Sequence, residues 1–336
     1  METLYLKGTD RDLDRAAAII KGGGLVAFPT ETVYGLGADA LNANAVAKIY
    51  EAKGRPADNP TIVTIADVSD LETLTPEVTE DMKKLAEAFW PGPMTMVVPA
   101  SPIIPAITIA GLKTAGIRMP DNALTRELIR RSKPLAGPSA NRSKRPSPTT
   151  AQHVLEDMDG RIDAVLDGGT CRVGIESTII DLSGDVPMIL RPGMIIRSQF
   201  EEVLGKKVLL DPTLNRDPSE AANDTSDFHP KAPGMKYKHY APKAPMLLFE
   251  GPYEKVLAEI DVVRKAHEEK GERVYVISFE PDEAERAAHD IYGLLREADA
   301  SGADLILATA LPQEGAGFSV MNRMLKSASF HVIRVS

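Results

Sequence analysis

The sequence predicts an α/β protein, in which a twisted, open, mixed sheet with helices is followed by a smaller C-terminal Rossmann-like α/β domain. Short apolar runs rich in β-branched residues alternate with segments of helical periodicity, which is typical of sheets covered by helices. Beyond residue 245 the alternation becomes regular, as expected of a small parallel sheet. A length of 336 residues also suits two domains.

The first 210 residues form the first predicted domain and carry the elements of the mixed sheet. We expect Asp10 to cap a helix that ends at the glycines 22–24, and a second helix to end at Lys53-Gly54. Further helices are predicted over 76–90, 123–132 and 150–158. Apolar runs predict strands over 25–28, 61–65, 94–98, 116–119, 164–166, 177–182 and 188–190.

Residues 211–245 are rich in Pro, Asp, Asn, Ser and Lys and show no sustained period, which predicts a linker. Residues 246–336 form the second predicted domain. Strands are expected over 246–249, 274–278, 304–308 and 331–335, with helices over 253–270, 283–299 and 319–327.

The composition excludes several classes of protein. With 43% hydrophobic residues and a net charge of −9, the chain is neither disordered nor a polybasic binder of nucleic acid or membranes. A single cysteine excludes an internal disulfide and a zinc site built from thiolates. No apolar run approaches the ~20 residues of a membrane helix, and the first fifteen residues are charged. We therefore expect a cytoplasmic protein without a membrane segment.

The chain also lacks the signatures of several catalytic mechanisms. It contains no phosphate-binding P-loop, no full dinucleotide fingerprint and no nucleophile elbow. Its six histidines show no metal-ligand spacing. Cys171 has no evident partner and is expected to be inert. Covalent catalysis therefore finds little support.

Polar residues that follow apolar runs are the candidates for a binding site. In an extended chain Thr30, Thr32 and Tyr34 share one face and can bind a small polar ligand. The alternative is a turn in which the hydroxyls cap the backbone.

Two cations flank a glycine at the end of the second predicted helix. Gly54 permits a chain reversal, after which Lys53 and Arg55 can face phosphate oxygens. The alternative is that both cations only stabilise the C-terminus of the helix.

Further candidates lie at the ends of later strands. Ser139 and Asn141 face the same way in an extended segment, with basic residues beyond them, and the alternative is a solvated charged loop. Arg118 and Arg191 each follow a strand, where open α/β sheets bind ligands, although each alone also suits the surface. In the linker, residues 236–240 cluster two lysines, two tyrosines and a histidine, which is unusual for an inert spacer.

Together these segments resemble the YrdC-like threonylcarbamoyl-AMP synthases in their two-domain form. The resemblance rests on "FPTETVYGLG", "KIYEAKGRPADNP", "WPGPMTMVV", "GIRMP", "GPSANRSKRPSPTT", "ESTIIDLSGDVPMILRPG" and "APGMKYKHYAP", which span residues 28–242 in the order of the family. It implies a YrdC-like sheet and a nucleotidyltransferase that converts L-threonine, bicarbonate and ATP into threonylcarbamoyl-AMP, pyrophosphate and water. The product then serves the threonylcarbamoyladenosine modification of tRNA beside the anticodon, through other proteins.

The resemblance also implies residue roles. The catalytic set is Lys53, Arg55, Ser139 and Asn141. The ATP-binding set is Arg55, Asn59, Thr114, Asn141, Ser147, Arg191, Tyr237 and His239. The threonine-binding set is Thr32, Thr64, Arg118 and Ser139, with Thr64 standing where many relatives have histidine.

We expect no metal site built by the protein, because Mg²⁺ enters with ATP and is held mainly by phosphates and water. The linker over 211–245 is expected to act as a lid over the active site. The expected partners are the small-molecule substrates, the downstream machinery that transfers threonylcarbamoyl to tRNA, and tRNA itself. The competing hypothesis is a module that binds double-stranded RNA or tRNA without catalysis of its own.

Overall fold

The computed structural model describes residues 2–215, 230–233 and 240–336. These residues form two compact units. The first takes 2–143, 147–214 and 230–233, and the second takes 144–146, 215 and 240–336. The predicted boundaries at residues 210 and 245 stay a prediction, because most of the segment between them lies outside the described residues.

The first unit is built on a sheet of eleven strands in the described part of the chain. The order across the sheet is β1-β8-β2-β3-β7-β4-β6-β5-β9-β10-β11, with parallel and antiparallel neighbours. An open mixed sheet is therefore confirmed. The strands are β1 (Leu4–Leu6), β2 (Val26–Phe28), β3 (Gly35–Asp39), β4 (Ile62–Thr64), β5 (Met94–Pro99), β6 (Thr114–Arg118), β7 (Leu135–Ala136), β8 (Ala164–Leu166), β9 (Thr178–Asp181), β10 (Met188–Arg191) and β11 (Leu209–Leu210).

Helices cover this sheet with buried apolar faces. They are α1 (Asp10–Lys21), α2 (Ala43–Lys53), α3 (Leu71–Leu74), α4 (Glu80–Phe89), α5 (Ala123–Arg131), α6 (Ala151–Met158) and α7 (Arg197–Leu204). The cap of α1 was predicted wrongly: Thr9 accepts a hydrogen bond from the backbone of Asp12 and caps the helix, one residue before Asp10. The helix predicted over 76–90 begins only at Glu80, because the hydroxyl of Thr79 caps it there.

The middle of the sheet brings distant parts of the chain together. Strand β4 runs parallel to β6, and their register sets Thr64 beside Arg118. Strand β7 pairs with both β3 and β4, and just beyond it Ser139 forms an antiparallel bridge with Gly35. Three of the four residues expected to bind threonine therefore lie on neighbouring strands or directly after one.

The second unit contains a four-stranded parallel sheet within the described residues. Its strands are β12 (Met246–Glu250), β13 (Val274–Ile277), β14 (Leu305–Thr309) and β15 (Val332–Arg334), and its helices are α8 (Tyr253–Glu268), α9 (Ala284–Ser301) and α10 (Ala316–Ser327). Each predicted element of this region is found. The strand order β13-β14-β12-β15 differs from the dinucleotide-binding order, because β14 lies between the first two strands of the unit. The term Rossmann-like therefore holds only for the parallel α/β arrangement. Across the described ranges, no helix combines the length and the apolar character that crossing a membrane requires.

Candidate active site

A pocket opens where β2, β3, β4 and β6 meet the segment after β7. It has a volume of about 310 Å³, including the part open to solvent. Polar side chains from four separate segments face it, and apolar groups complete the wall. The lining residues are Phe28, Thr30, Val33, Gly35, Ile62, Thr64, Arg118, Pro120, Gly137 and Ser139.

Glycines lie around this pocket because the phenyl ring of Phe28 leaves no room for a Cβ atom at their positions. A Cβ on Gly35 would lie 2.4 Å from the Cζ of Phe28, and one on Gly37 would lie 2.9 Å from its Cδ1. A Cβ on Gly137 would lie 2.9 Å from the Cζ of Phe28 and 3.0 Å from the Oγ1 of Thr64. The glycines therefore allow an aromatic ring to pack directly against the backbone of the neighbouring strand and loop.

The segment after β2 turns instead of staying extended. The Oγ1 of Thr30 accepts hydrogen bonds from the backbone of Thr32 and Val33, and it lies 2.9 Å from the Oγ1 of Thr32. The hydroxyl of Tyr34 donates to the carbonyl of Gly169. The expectation that Thr30, Thr32 and Tyr34 share one open face is therefore wrong, because hydroxyl-capped turns compete with extended backbone. Thr32 reaches the pocket only through its contact with Thr30.

Arg118 is the cation of the pocket wall. Its Nη2 lies 2.8 Å from the Oε1 of Glu31, and both side chains are buried. Thr64 and Ser139 supply hydroxyls on the same pocket. One guanidinium with two neighbouring hydroxyls suits a small ligand that carries a carboxylate.

Lys53 is buried and donates to the backbone, whereas the sequence predicted that it can face phosphate oxygens. Its exposed fraction is 3%, and its Nζ donates hydrogen bonds to the carbonyls of Ser139 and Asn141. Burial, with a smaller effect of the nearby Arg55 charge, holds the pKa of Lys53 well below its usual value of 10.5. In this structure Lys53 therefore anchors the Ser139–Asn141 backbone.

Arg55 is placed differently from Lys53. Gly54 ends α2 in the left-handed conformation, with φ of 60°, and turns the chain. The guanidinium of Arg55 is half-buried, lies 5.9 Å from the centre of the Tyr50 ring, and donates to the carbonyl of Asn59. Asn59 itself is buried. The contacts of the two cations therefore differ, because Lys53 donates to the Ser139–Asn141 backbone whereas Arg55 donates to the carbonyl of Asn59.

The remaining candidates form a second polar cluster. Ser147 is buried and donates to the Oε1 of Glu176 at 2.7 Å. Arg191 donates to both the carbonyl and the hydroxyl of Ser177. Glu176 and Ser177 were not singled out from the sequence, although "ESTIIDL" places a carboxylate and a hydroxyl at the start of a buried strand. Asn141 is also buried, and its side-chain amide donates to the carbonyl of Arg142.

Thr114 and Cys171 are not among the lining residues of the pocket, and two further candidates lie outside the described residues. Thr114 begins β6 and lies at the opposite end of that strand from Arg118. Tyr237 and His239 lie outside the described residues. Cys171 is buried, and burial raises the pKa of its thiol to about 12, so a thiolate nucleophile is not available near neutral pH.

Comparisons with known proteins find relatives that match this chain over nearly its whole length. A family model described as "Telomere recombination" matches residues 18–193, and one described as "Threonylcarbamoyl-AMP synthase, C-terminal domain" matches residues 195–329. The threonylcarbamoyl-AMP synthase of Pyrococcus abyssi is 44% identical over 331 residues, which cover 95% of each chain.

The chain belongs to the threonylcarbamoyl-AMP synthase family. The Bacillus subtilis threonylcarbamoyl-AMP synthase is also 44% identical, over 98% of this chain and 96% of the relative. The crystal structure of Pyrococcus abyssi Sua5 complexed with L-threonine superposes with a TM-score of 0.92 and 42% identity, covering both chains completely. The resemblance inferred from the motifs is thereby confirmed, and so is the prediction of an enzyme of this family.

Proposed function

We propose that this chain converts L-threonine, bicarbonate and ATP into threonylcarbamoyl-AMP, pyrophosphate and water. The observation that carries the proposal is the pocket in which Arg118, Thr64 and Ser139 converge. The guanidinium and hydroxyls of this pocket suit a polar amino acid, and the related Pyrococcus abyssi protein was crystallised with L-threonine. The guanidinium of Arg118 takes the carboxylate of threonine, and the hydroxyl of Ser139 assists in holding the substrate.

The reaction needs no protein nucleophile. The amine of threonine adds to carbon dioxide, which bicarbonate supplies with loss of water, and forms a carbamate. A carbamate oxygen then attacks the α-phosphorus of ATP, the bond to the bridging oxygen breaks, and pyrophosphate leaves. The protein accelerates these steps by positioning the reactants and by stabilising charge on phosphorus.

We assign the nucleotide to the residues around Arg55. The planar fork of Arg55 suits phosphate oxygens. Asn59, Asn141, Ser147 and Arg191 are the other proposed contacts, and Lys53 acts by holding the Ser139–Asn141 backbone. Thr114, Tyr237 and His239 remain proposed ATP contacts on the family resemblance alone.

Mg²⁺ is proposed to enter with ATP. In the described residues, no group of three His, Cys, Asp or Glu side chains is arranged to hold a metal ion. Glu176 accepts a hydrogen bond from the hydroxyl of Ser147, one of the proposed nucleotide contacts. The ion is therefore expected to be held by phosphate oxygens and water, and it would offset the negative charge of the leaving group.

The chemistry of the product indicates which reaction consumes it. A carbamoyl group joined to AMP is activated for transfer to an amine, and we propose transfer to adenosine in tRNA by other proteins in the cytoplasm. The test of the proposed function is mass spectrometry after incubation with ATP, threonine and carbon-labelled bicarbonate. We expect threonylcarbamoyl-AMP that carries the label, and an AMP-threonine adduct without the label would contradict the proposal.

A further inference from the structure

Glu31 is a buried carboxylate whose place in the fold calls for an explanation. Its exposed fraction is 3%, and neither carboxylate oxygen forms a hydrogen bond of good geometry within the described part of the chain. Burying a carboxylate without hydrogen bonds is costly, so such groups in native proteins usually serve a purpose.

The backbone fixes where this carboxylate lies. On one side the hydroxyl of Thr30 holds the turn that contains Glu31. On the other side Val173 donates to the carbonyl of Glu31 at 2.7 Å, and Gly174 donates to the carbonyl of Thr32 at 3.1 Å. With hydrogen bonds on both sides, the segment cannot carry the carboxylate towards solvent without breaking several of them.

Within the described ranges, this carboxylate forms an ion pair with a cation on the pocket wall. The Oε1 of Glu31 lies 2.8 Å from the Nη2 of Arg118, whose exposed fraction is 7%. Arg118 lines the pocket, whereas Glu31 is not among the lining residues. Among the described residues, the Nε and Nη2 of Arg118 form no hydrogen bond of good geometry. The Glu31 carboxylate and the Arg118 guanidinium are thus close, but N–H groups of the guanidinium still have room for a further hydrogen-bond acceptor.

We infer that Glu31 is a positioning residue, which holds the Arg118 guanidinium in the orientation that receives the carboxylate of the amino acid substrate. A guanidinium binds a carboxylate best through two parallel N–H groups. A contact on the side away from the ligand therefore has to fix the rotation of the guanidinium. On the strand side, β6 pairs with β4, and the register sets Thr64 beside Arg118. Glu31 supplies the charged contact on the other side. This inference rests on the proposed function of the pocket.

The first test is Glu31→Gln in the full chain, which keeps the shape and removes the charge. We expect the KM for threonine to rise by about tenfold or more, because truncating one side of a buried charge pair weakens contacts made through the other. The KM for ATP should change by less than about twofold. Asp181→Asn is the matched control, because Asp181 is also a buried carboxylate paired with a cation, Lys231, but lies outside the pocket lining.

The second test separates positioning from a general effect on folding. In an Arg118→Gln background, Glu31→Gln should change the KM for threonine by less than about twofold, since Glu31 acts through Arg118. The double variant also lacks a lone buried charge, so it remains informative if Glu31→Gln alone does not fold.

The results of these tests separate the positioning role of Glu31 from the proposed binding of threonine. A folded Glu31→Gln variant with the native KM for threonine would overturn the inference, and so would a full additional loss in the Arg118→Gln background. Threonine binding by the native chain is measured by calorimetry in parallel. Failure of the native chain to bind threonine would contradict the proposed function itself, whatever the Glu31 variants do.

Discussion

The structure gives Lys53 a structural role, whereas the sequence predicted that it faces phosphate oxygens. Its ammonium group donates to two backbone carbonyls that belong to Ser139 and Asn141. Lys53→Met leaves both carbonyls without this donor, and we expect it to lower the free energy of unfolding by about 1–3 kcal/mol as well as reducing activity. Thermal unfolding with initial rates tests this, and a variant as stable as the native chain would refute the anchoring role.

The same residue makes the stability depend on pH. Burial holds the pKa of Lys53 in the folded chain well below its usual value of 10.5, so between the folded pKa and 10.5 the unfolded chain binds more protons. Within this range, the stability of the native chain relative to Lys53→Met should therefore increase as the pH rises towards 10.5. Urea unfolding of both proteins across this range measures the difference, and a difference that shrinks with rising pH would contradict the account.

Arg55 should behave in the opposite way to Lys53. Because its guanidinium is half-buried at a helix end, Arg55→Ala is expected to cost little stability. The rate should fall by about 10²–10³-fold if Arg55 stabilises charge on the phosphates. Steady-state kinetics at saturating threonine, together with thermal unfolding, tests both parts. A near-native rate would remove Arg55 from the nucleotide site.

The apolar wall of the pocket sets a limit on substrate choice. Val33 and Ile62 lie among the lining residues and can contact the methyl group of threonine. One methyl group is worth about 1–3 kcal/mol, so kcat/KM should favour threonine over serine by roughly 10–200-fold. Competition between the two amino acids measures this ratio, and equal values would show that the pocket does not contact the methyl group.

At the scale of the elements, the packing of β2 against β3 is the feature most open to test. Gly35→Ala places a Cβ against the Phe28 ring, and either the ring or the strand must move. We expect a loss of about 1–3 kcal/mol in stability and weaker threonine binding, because the ring lines the pocket.

Two further variants test whether the Phe28 ring is the reason that position 35 requires glycine. Gly184→Ala is the control, because a Cβ there meets nothing within 4 Å. Phe28→Leu combined with Gly35→Ala should recover part of the lost stability, since the ring atoms that clash are absent. Equal effects of Gly35→Ala and Gly184→Ala, measured by thermal unfolding and calorimetry, would show that the ring does not set the requirement for glycine.

The elements that the sequence predicted are those whose signal is local. The helix α5 begins after an Asn122 cap and carries a clear apolar face, and the C-terminal strands β12 and β14 are runs of five mostly apolar residues. The strands β1, β3, β7 and β11 were missed, because β3 is rich in glycine and the other three have only two or three residues. Their strand conformation depends on partners distant in sequence, which local propensity does not contain.

The residues of the site also divide into those that the sequence could group and those whose placement depends on distant partners. The register of β4 and β6 brings together Thr64 and Arg118, which the resemblance had already grouped. The burial of Lys53 could not be predicted, since its partners are about ninety residues away along the chain. Glu31 was overlooked because a carboxylate between two threonines gives no sign of being buried.

At the scale of the whole molecule, the segment before the second unit remains the main open prediction. Residues 236–239 lie outside the described part of the chain, whereas Tyr240 packs against Tyr292 within the second unit. Replacing 236–239 with Gly and Ser at constant length should therefore preserve both folded units. If the segment acts as a lid, most activity is lost or the intermediate is released and hydrolysed. Native rates and yield would show that it serves only as a connection.

Pyrophosphate release shows whether the pocket performs the proposed chemistry. Release from ATP is measured with and without threonine, and with and without bicarbonate in buffer freed of carbon dioxide. We expect that release requires both, and that Arg118→Gln lowers it at limiting threonine. Pyrophosphate released at the full rate without threonine or without bicarbonate would contradict the proposed reaction.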